Sequence, residues 1–190
     1  MTLEIVQYGD SILHQKGEPV ERFDASLESL FEDMVETCTA ADGIGLAAQQ
    51  IGQALQFCVV DLRGIEVDFE YTLDGSTPPI DLFNPMGLCN PIVTTIDSPE
   101  TTYEEGCLSF PDIRGDVNRP DWVRCEYQDI DGVPHTIECN GILGRCIQHE
   151  VDHLNGILFT ERMKKKTFKK IQIATNQLKA RTLARISNQA

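Results

Sequence analysis

The sequence predicts an α+β fold in a single domain. Three observations lead there: a helical apolar repeat near the N-terminus, a middle stretch dense in strand and turn signals, and a late helix that is apolar nearly all round, followed by a basic one. At 190 residues the chain suits one domain, 1–190, with a substantial core, and its 41% hydrophobic and 24% charged content is ordinary for a globular protein.

The elements follow in order. Leu27, Leu30, Phe31, Met34, Val35 and Cys38 fit the i, i+3, i+4, i+7 template of a first helix, with Ser26 as the N-cap and Gly43 beyond its end. Phe57 to Val60 reads as a buried strand. Residues 64–88, with Asp74-Gly75 and Pro78-Pro79, read as a long irregular insertion loop or hairpin. Val93 to Ile96 and Thr101 to Glu105 read as strands, and residues 122–128 and 135–139 flank Asp131-Gly132, a strong hairpin signal. Gly141 opens a helix carrying Ile142, Leu143, Cys146, Ile147 and Leu154, which should be central and buried. The last segment, within residues 162–190, is a surface helix with a thin stripe of Phe168, Ile171, Ile173 and Leu178.

Composition excludes several classes of function. No apolar run approaches the roughly 20 residues of a membrane span, and MTLEIVQYGD lacks the basic then apolar build of a signal peptide. The seven cysteines are odd in number, scattered and without a CxxC pair, which reads as reduced thiols and a cytoplasmic address. The formal charge of −14 conceals two signs: residues 1–160 carry 7 basic against 29 acidic side chains, whereas 161–190 carry 9 against 1. A tail of that sign suits docking on a polyanion such as RNA, although a charge run is also what a solvated helix face looks like.

Chemistry enters at QHEVDHLNG, residues 148–156. His149 and His153 lie four apart and share one helix face, and Glu150 between them can reach a water held by the same ion. The bland alternative is a core helix with two satisfied imidazoles. A working site needs a further ligand and an open position for water. No His or Cys follows His153, and Glu161 would sit about 12 Å farther along a continuous helix, so the ligand comes from upstream. Composition alone leaves six cysteines, His14, His135 and many carboxylates in play. Local context favours Cys107 in YEEGCLSFP, where the chain turns sharply between Gly106 and Pro111. Cys38 and Cys146 fall on helix patterns and Cys58, Cys125 and Cys139 in strands, where burial explains them. A second cluster, GIGLAAQQIG at 43–52, allows close backbone approach at Gly43 and Gly45 and offers Gln50 as an uncharged donor. A helix end at Gly43 followed by a turn explains half of it without any function.

Taken together, GIGLAAQQIG, EEGCLSFP and QHEVDHLNG resemble the three motifs of the peptide deformylases, in the same order and at comparable spacing. The likeness spans residues 3 to about 165, with the 64–88 insertion and the tail as the divergent parts. It implies mixed or antiparallel sheets around the HExxH helix, and removal of the N-formyl group from formyl-methionyl nascent chains with release of formate. It also implies roles: Cys107, His149 and His153 as metal ligands, Glu150 as general base and acid, Gln50 and the Leu108 N–H as oxyanion donors. Ile44 and Gly45 would contact the substrate methionine, and Glu105 and the loop arginine Arg114 would hold the cleft. The implied cofactor is one divalent ion, Fe²⁺ natively, with Zn²⁺, Ni²⁺ or Co²⁺ accommodated in purified protein. Ribosome docking through the basic helix is expected by the same resemblance, and neither DNA nor a membrane is expected as a partner. The sequence departs from the family at Gln49 and Asp42, positions that bear on substrate contacts. Two other functions fit parts of the pattern: a zinc endopeptidase, which HExxH alone would support, and a non-catalytic domain docking through its tail.

Overall fold

The computed structural model describes residues 1–65 and 69–189; residues 66–68 of the expected 64–88 loop, and Ala190, lie outside the described residues. Helix α1 spans Ala25–Ala40. Asp24, not Ser26, is its N-cap: the Asp24 carboxylate accepts from the Ser26 N–H at 3.0 Å. The helix ends before Gly43, whose N–H returns to the Cys38 carbonyl, and the left-handed turn falls on Asp42 at φ 54°. Gly43 is small for a different reason, because a Cβ there would meet Leu108 Cδ1 at 2.8 Å and Cys38 Sγ at 3.1 Å.

Among the described residues eight strands follow: β1 Gly45–Ala47, β2 Phe57–Val60, β3 Tyr71–Leu73, β4 Met86–Thr95, β5 Glu100–Gly106, β6 Arg114–Pro120, β7 Val123–Gln128 and β8 Pro134–Cys139. Six form one sheet in the order β1-β2-β4-β7-β8-β3, while β5 and β6 pair separately, and every pairing is antiparallel. The expected hairpin stands, with Gly132 at φ 81° in its turn. Two expectations change. The 64–88 stretch is more than a loop: the hairpin alternative holds at Asp74-Gly75, where Leu73 and Ser76 bridge antiparallel, while β3 adds a strand to the edge at β8 and β4 already begins at Met86. Residues 114–120 form a strand, so Arg114 opens β6 instead of lying in a loop.

The period-2 geometry of β2 organises the core. Cys58 and Val60 face one side of the large sheet and pack on Leu143, Cys146, Ile147 and Leu154 of helix α2, Gly141–Leu154. Phe57 and Val59 face the other and pack on Leu27, Met34 and Cys38 of α1. Helix α3, Phe159–Arg162, and helix α4, Lys165–Gln189, close a third cluster in which Phe159, Met163 and Leu178 meet Leu13, Phe110, Ile113 and Val117. Sheet on one flank and the third cluster on the other leave α2 buried from Leu143 to Leu154, as its sequence requires. On α4 the expected stripe is corrected at Ile173, which is 74% exposed; Thr175 and Thr182 are buried instead and return their hydroxyls to the helix's own carbonyls.

Candidate metal centre and its cleft

One helical turn of α2 separates His149 from His153 and sets their rings 5.0 Å apart. Cys107 arrives from the turn after β5, which closes with the Phe110 N–H on the Cys107 carbonyl at 2.8 Å. The ligand atoms of Cys107, His149 and His153 all lie within 4.8 Å of one another, with Cys107 Sγ 3.3 Å from His153 Nε2. Ligand atoms sharing a tetrahedral Zn²⁺ or an ion of similar size stand about 3.5 Å apart, so one sulfur and two imidazoles in this arrangement fit one divalent metal ion. The competing donors are elsewhere. The other six cysteines are buried in the core, His14 lies by Glu161, and His135 bridges Asp74 and Asp129.

The imidazoles are supported unequally. His149 Nδ1 lies 3.0 Å from Glu105 Oε2, which turns Nε2 toward the shared centre, whereas the buried His153 Nδ1 has no hydrogen-bond partner among the described residues. Burial disfavours charge on both rings. At His149 the hydrogen bonds to Cys107 and Glu105 outweigh burial and raise the pKa well above the usual imidazole value; at His153 burial, with positive His149 and Arg119 nearby, lowers it. The His153 ring therefore favours its neutral form, whereas at His149 a cation would compete with a proton.

Glu105 lines the cleft, as expected, but its carboxylate is turned toward protein groups. Its carboxylate takes Arg119 Nε and Nη2 at 2.7 and 3.0 Å, Arg145 Nη1 at 2.7 Å, and His149, and four such donors fill its lone-pair sites. No acceptor capacity is left for a substrate; Glu105 holds His149 from behind. Burial opposes its charge, but the hydrogen bonds from His149 and Arg119 prevail and keep the group well below the usual carboxylate range. Arg119 continues to Asp152, and Asp152 to Arg162. Arg119, Arg145, Asp152 and Arg162 escaped the reading of the sequence. Arg145 and Asp152 carried a signal, being charges that flank His149 and Glu150 on a buried helix, and Arg145 sits one turn before His149; Arg119 is hidden in a strand that no sequence pattern marks.

Glu150 follows His149 on α2 and lines the cleft. It is 4% exposed, its Oε2 has no partner among the described residues, and burial above all raises its pKa to about 7. Gly45 is small because a Cβ there would collide with the Glu150 carboxylate and come within 2.8 Å of Cys146 Sγ. Gln50, 1% exposed, accepts from the Ala47 N–H at 2.8 Å and aims Nε2 at Cys107 Sγ, 3.4 Å away, and Ser109 Oγ, 3.3 Å away. Leu108 lies in the Cys107 turn, and its N–H donates no hydrogen bond among the described residues. A cleft of about 540 Å³ adjoins these residues, lined by Ile44, Gly45, Gly106 to Leu108, Ile142, Cys146 and Glu150. Arg114 lines the same cleft, exposed, and packs over Gly106.

Known proteins share this chain's sequence and fold. The family model for polypeptide deformylase matches residues 2–169. Peptide deformylase of Opitutus terrae is 53% identical over 192 residues, covering 100% of this chain and 97% of that protein. The enzyme of Chloroflexus aurantiacus is 44% identical over 80% of each. Among solved structures, a mutant of Arabidopsis thaliana peptide deformylase 1B superposes with a TM-score of 0.84 at 30% identity, covering 97% of this chain and 94% of that one. Peptide deformylase from Plasmodium falciparum gives 0.82 at 33%, covering 95% and 97%. With a family match across nearly nine-tenths of its length and relatives this close, the chain belongs to the polypeptide deformylase family, whose reaction is the metal-dependent removal of the N-formyl group from nascent polypeptides.

Proposed function

We propose that Cys107, His149 and His153 hold the metal ion, natively Fe²⁺, and that Glu150, Gln50 and the Leu108 N–H carry out hydrolysis of the formyl amide. The observation that carries this reading is the convergence of the three ligand atoms within 4.8 Å at the foot of a cleft, beside a buried carboxylate with one oxygen free. A divalent ion so held supplies a Lewis acid that polarises the formyl oxygen and acidifies water. The protein supplies the rest. Glu150, poised near neutrality by burial, accepts the proton of the attacking water and returns it to the departing amine. Gln50 Nε2 and the Leu108 N–H donate to the oxygen on which negative charge builds. Ile44 and Gly45 border the room for the methionine side chain, and Arg114 stands at its mouth.

Thiolate with two imidazoles accepts Fe²⁺ or Zn²⁺, and kinship with the deformylases favours iron. Under iron, activity fades in air while zinc-loaded protein stays stable and slower. The whole chain, 1–190, acts as one catalytic unit, with 64–88 as an insertion and 162–190 as a basic helix. That helix is proposed to dock on the ribosome: its lysines and arginines are exposed and opposite in sign to the body. A cytoplasmic address accords with seven free thiols and with the lack of any helix, among the described residues, long and apolar enough to cross a membrane. Formate release from formyl-Met-Ala by anaerobically purified protein tests the reading. Glu150→Ala should keep its metal and lose at least about two orders of magnitude in rate; an unchanged rate, or undiminished metal in Cys107→Ala, ends it.

A further inference from the structure

The ion-binding residues stand at the inner end of a longer series of charges. From His149 Nδ1 it runs to Glu105 at 3.0 Å, from Glu105 to Arg119 at 2.7 and 3.0 Å, from Arg119 Nη1 to Asp152 Oδ2 at 2.7 Å, and from Asp152 Oδ2 to Arg162 Nε at 3.1 Å. Side-chain exposure climbs along it: 5% at Glu105 and Arg119, 10% at Asp152, 46% at Arg162. Arg162 is the last residue of α3, so a half-exposed group from the C-terminal region connects to an imidazole in the middle of the molecule.

We propose that Arg162 is a positioning residue for His149, setting through Asp152 and Arg119 how strongly Glu105 draws the His149 Nδ1 proton. The inference rests on the reading of His149 as a ligand.

Asp152 is shared. Arg162 grips both of its oxygens and Arg119 grips one, so with Arg162 in place Arg119 keeps its two-pronged hold on Glu105. Without Arg162, the nearly buried Asp152 retains Arg119 alone among these partners and draws it away from Glu105. In a low-dielectric interior that attraction is poorly screened. Glu105 is then less neutralised and a stronger acceptor for the His149 proton, since a partner of this kind sets the basicity of the ligand. Replacing Asp152 by Asn has the opposite sign, because Arg119 then belongs to Glu105. A purely structural clamp of α3 onto α2 would instead cost stability and leave His149 unmoved. Arg63 with Asp61 provides the matched comparison: an ion pair of similar exposure, 51% and 6%, outside this series.

The test is the imidazole Nδ1–H resonance of His149 in zinc-loaded, ¹⁵N-histidine-labelled protein, with zinc per chain measured first. Arg162→Gln should move it downfield, Asp152→Asn upfield, and Arg63→Gln not at all. Arg162→Lys keeps the charge without the fork and should give a smaller downfield shift; it serves should the glutamine variant fail to fold. An unmoved resonance in the Arg162 variants, or shifts of the same sign in the Arg162 and Asp152 variants, overturns the relay alone. Failure of the wild type to hold zinc overturns the ligand assignment and the relay with it.

Discussion

Glu105 and His149 are joined at 3.0 Å, and that contact fixes which nitrogen of the imidazole faces Cys107. The carboxylate also neutralises Arg119 and Arg145, both about 5% exposed. Glu105→Gln should therefore fail twice. Loss of the partner behind a ligand weakens metal affinity or activity by about 10- to 100-fold, and stripping the charge from a buried pair costs about 3–5 kcal/mol of stability. Zinc competition and urea unfolding measure the two losses, and wild-type values in both would reject the assignment.

Gln50→Ala should lower kcat by about 10²- to 10³-fold with little change in KM, as loss of one oxyanion donor does. Steady-state kinetics on formyl-Met-Ala separate the cases. A rise in KM alone would make Gln50 a binding group.

His135 offers a pH-dependent contribution away from the cleft. Burial opposes its charge, but the hydrogen bonds to Asp74 at 2.7 Å and Asp129 at 3.2 Å prevail and raise its pKa above 6.5. A group raised on folding stabilises fully below its unfolded value and loses that contribution as pH climbs through the folded one. His135→Asn should thus be destabilised most near about pH 5.5, with the gap to wild type narrowing toward about pH 9. Thermal unfolding across that range decides; a constant gap would mean the ring only packs.

Reversing Lys165, Lys166, Lys169 and Lys170 to Glu should weaken ribosome binding, flatten its salt dependence and leave hydrolysis of a short formyl peptide intact. Truncating α4 is the poorer test, because Phe168, Ile171 and Leu178 pack in the third cluster. Sedimentation with ribosomes at two salt concentrations reads the result, and unaltered, salt-sensitive binding would relocate the contact.

What could be read from the sequence was governed by how local the physics is. The α2 helix, the β7–β8 hairpin and the three motifs are written in short-range periodicity and turn chemistry, and even the upstream sulfur followed from the lack of any downstream ligand together with its place in a sharp turn. The strand β6 was missed because Arg119, inward and buried, gives RGDVNRP no apolar alternation to read. Its partners lie at positions 105 and 152, and no local pattern announces a pairing that distant. Ile173 was misplaced for a related reason: on a thin stripe, a modest rotation of the helix decides which side faces the body, and packing sets that rotation.

Seven thiols in one chain suggest many targets for an oxidant, yet the fold leaves a single one. Burial pushes the Cys38, Cys89 and Cys139 thiols up to about 12 and raises Cys58, Cys125 and Cys146 well above the usual thiol value, while Cys107 alone is partly open to solvent. Damage by peroxide or alkylation should therefore follow single-hit kinetics, with the lost activity and the modified sulfur counted one for one. The six silent thiols react only once the chain has come apart, and so provide a built-in clock for unfolding.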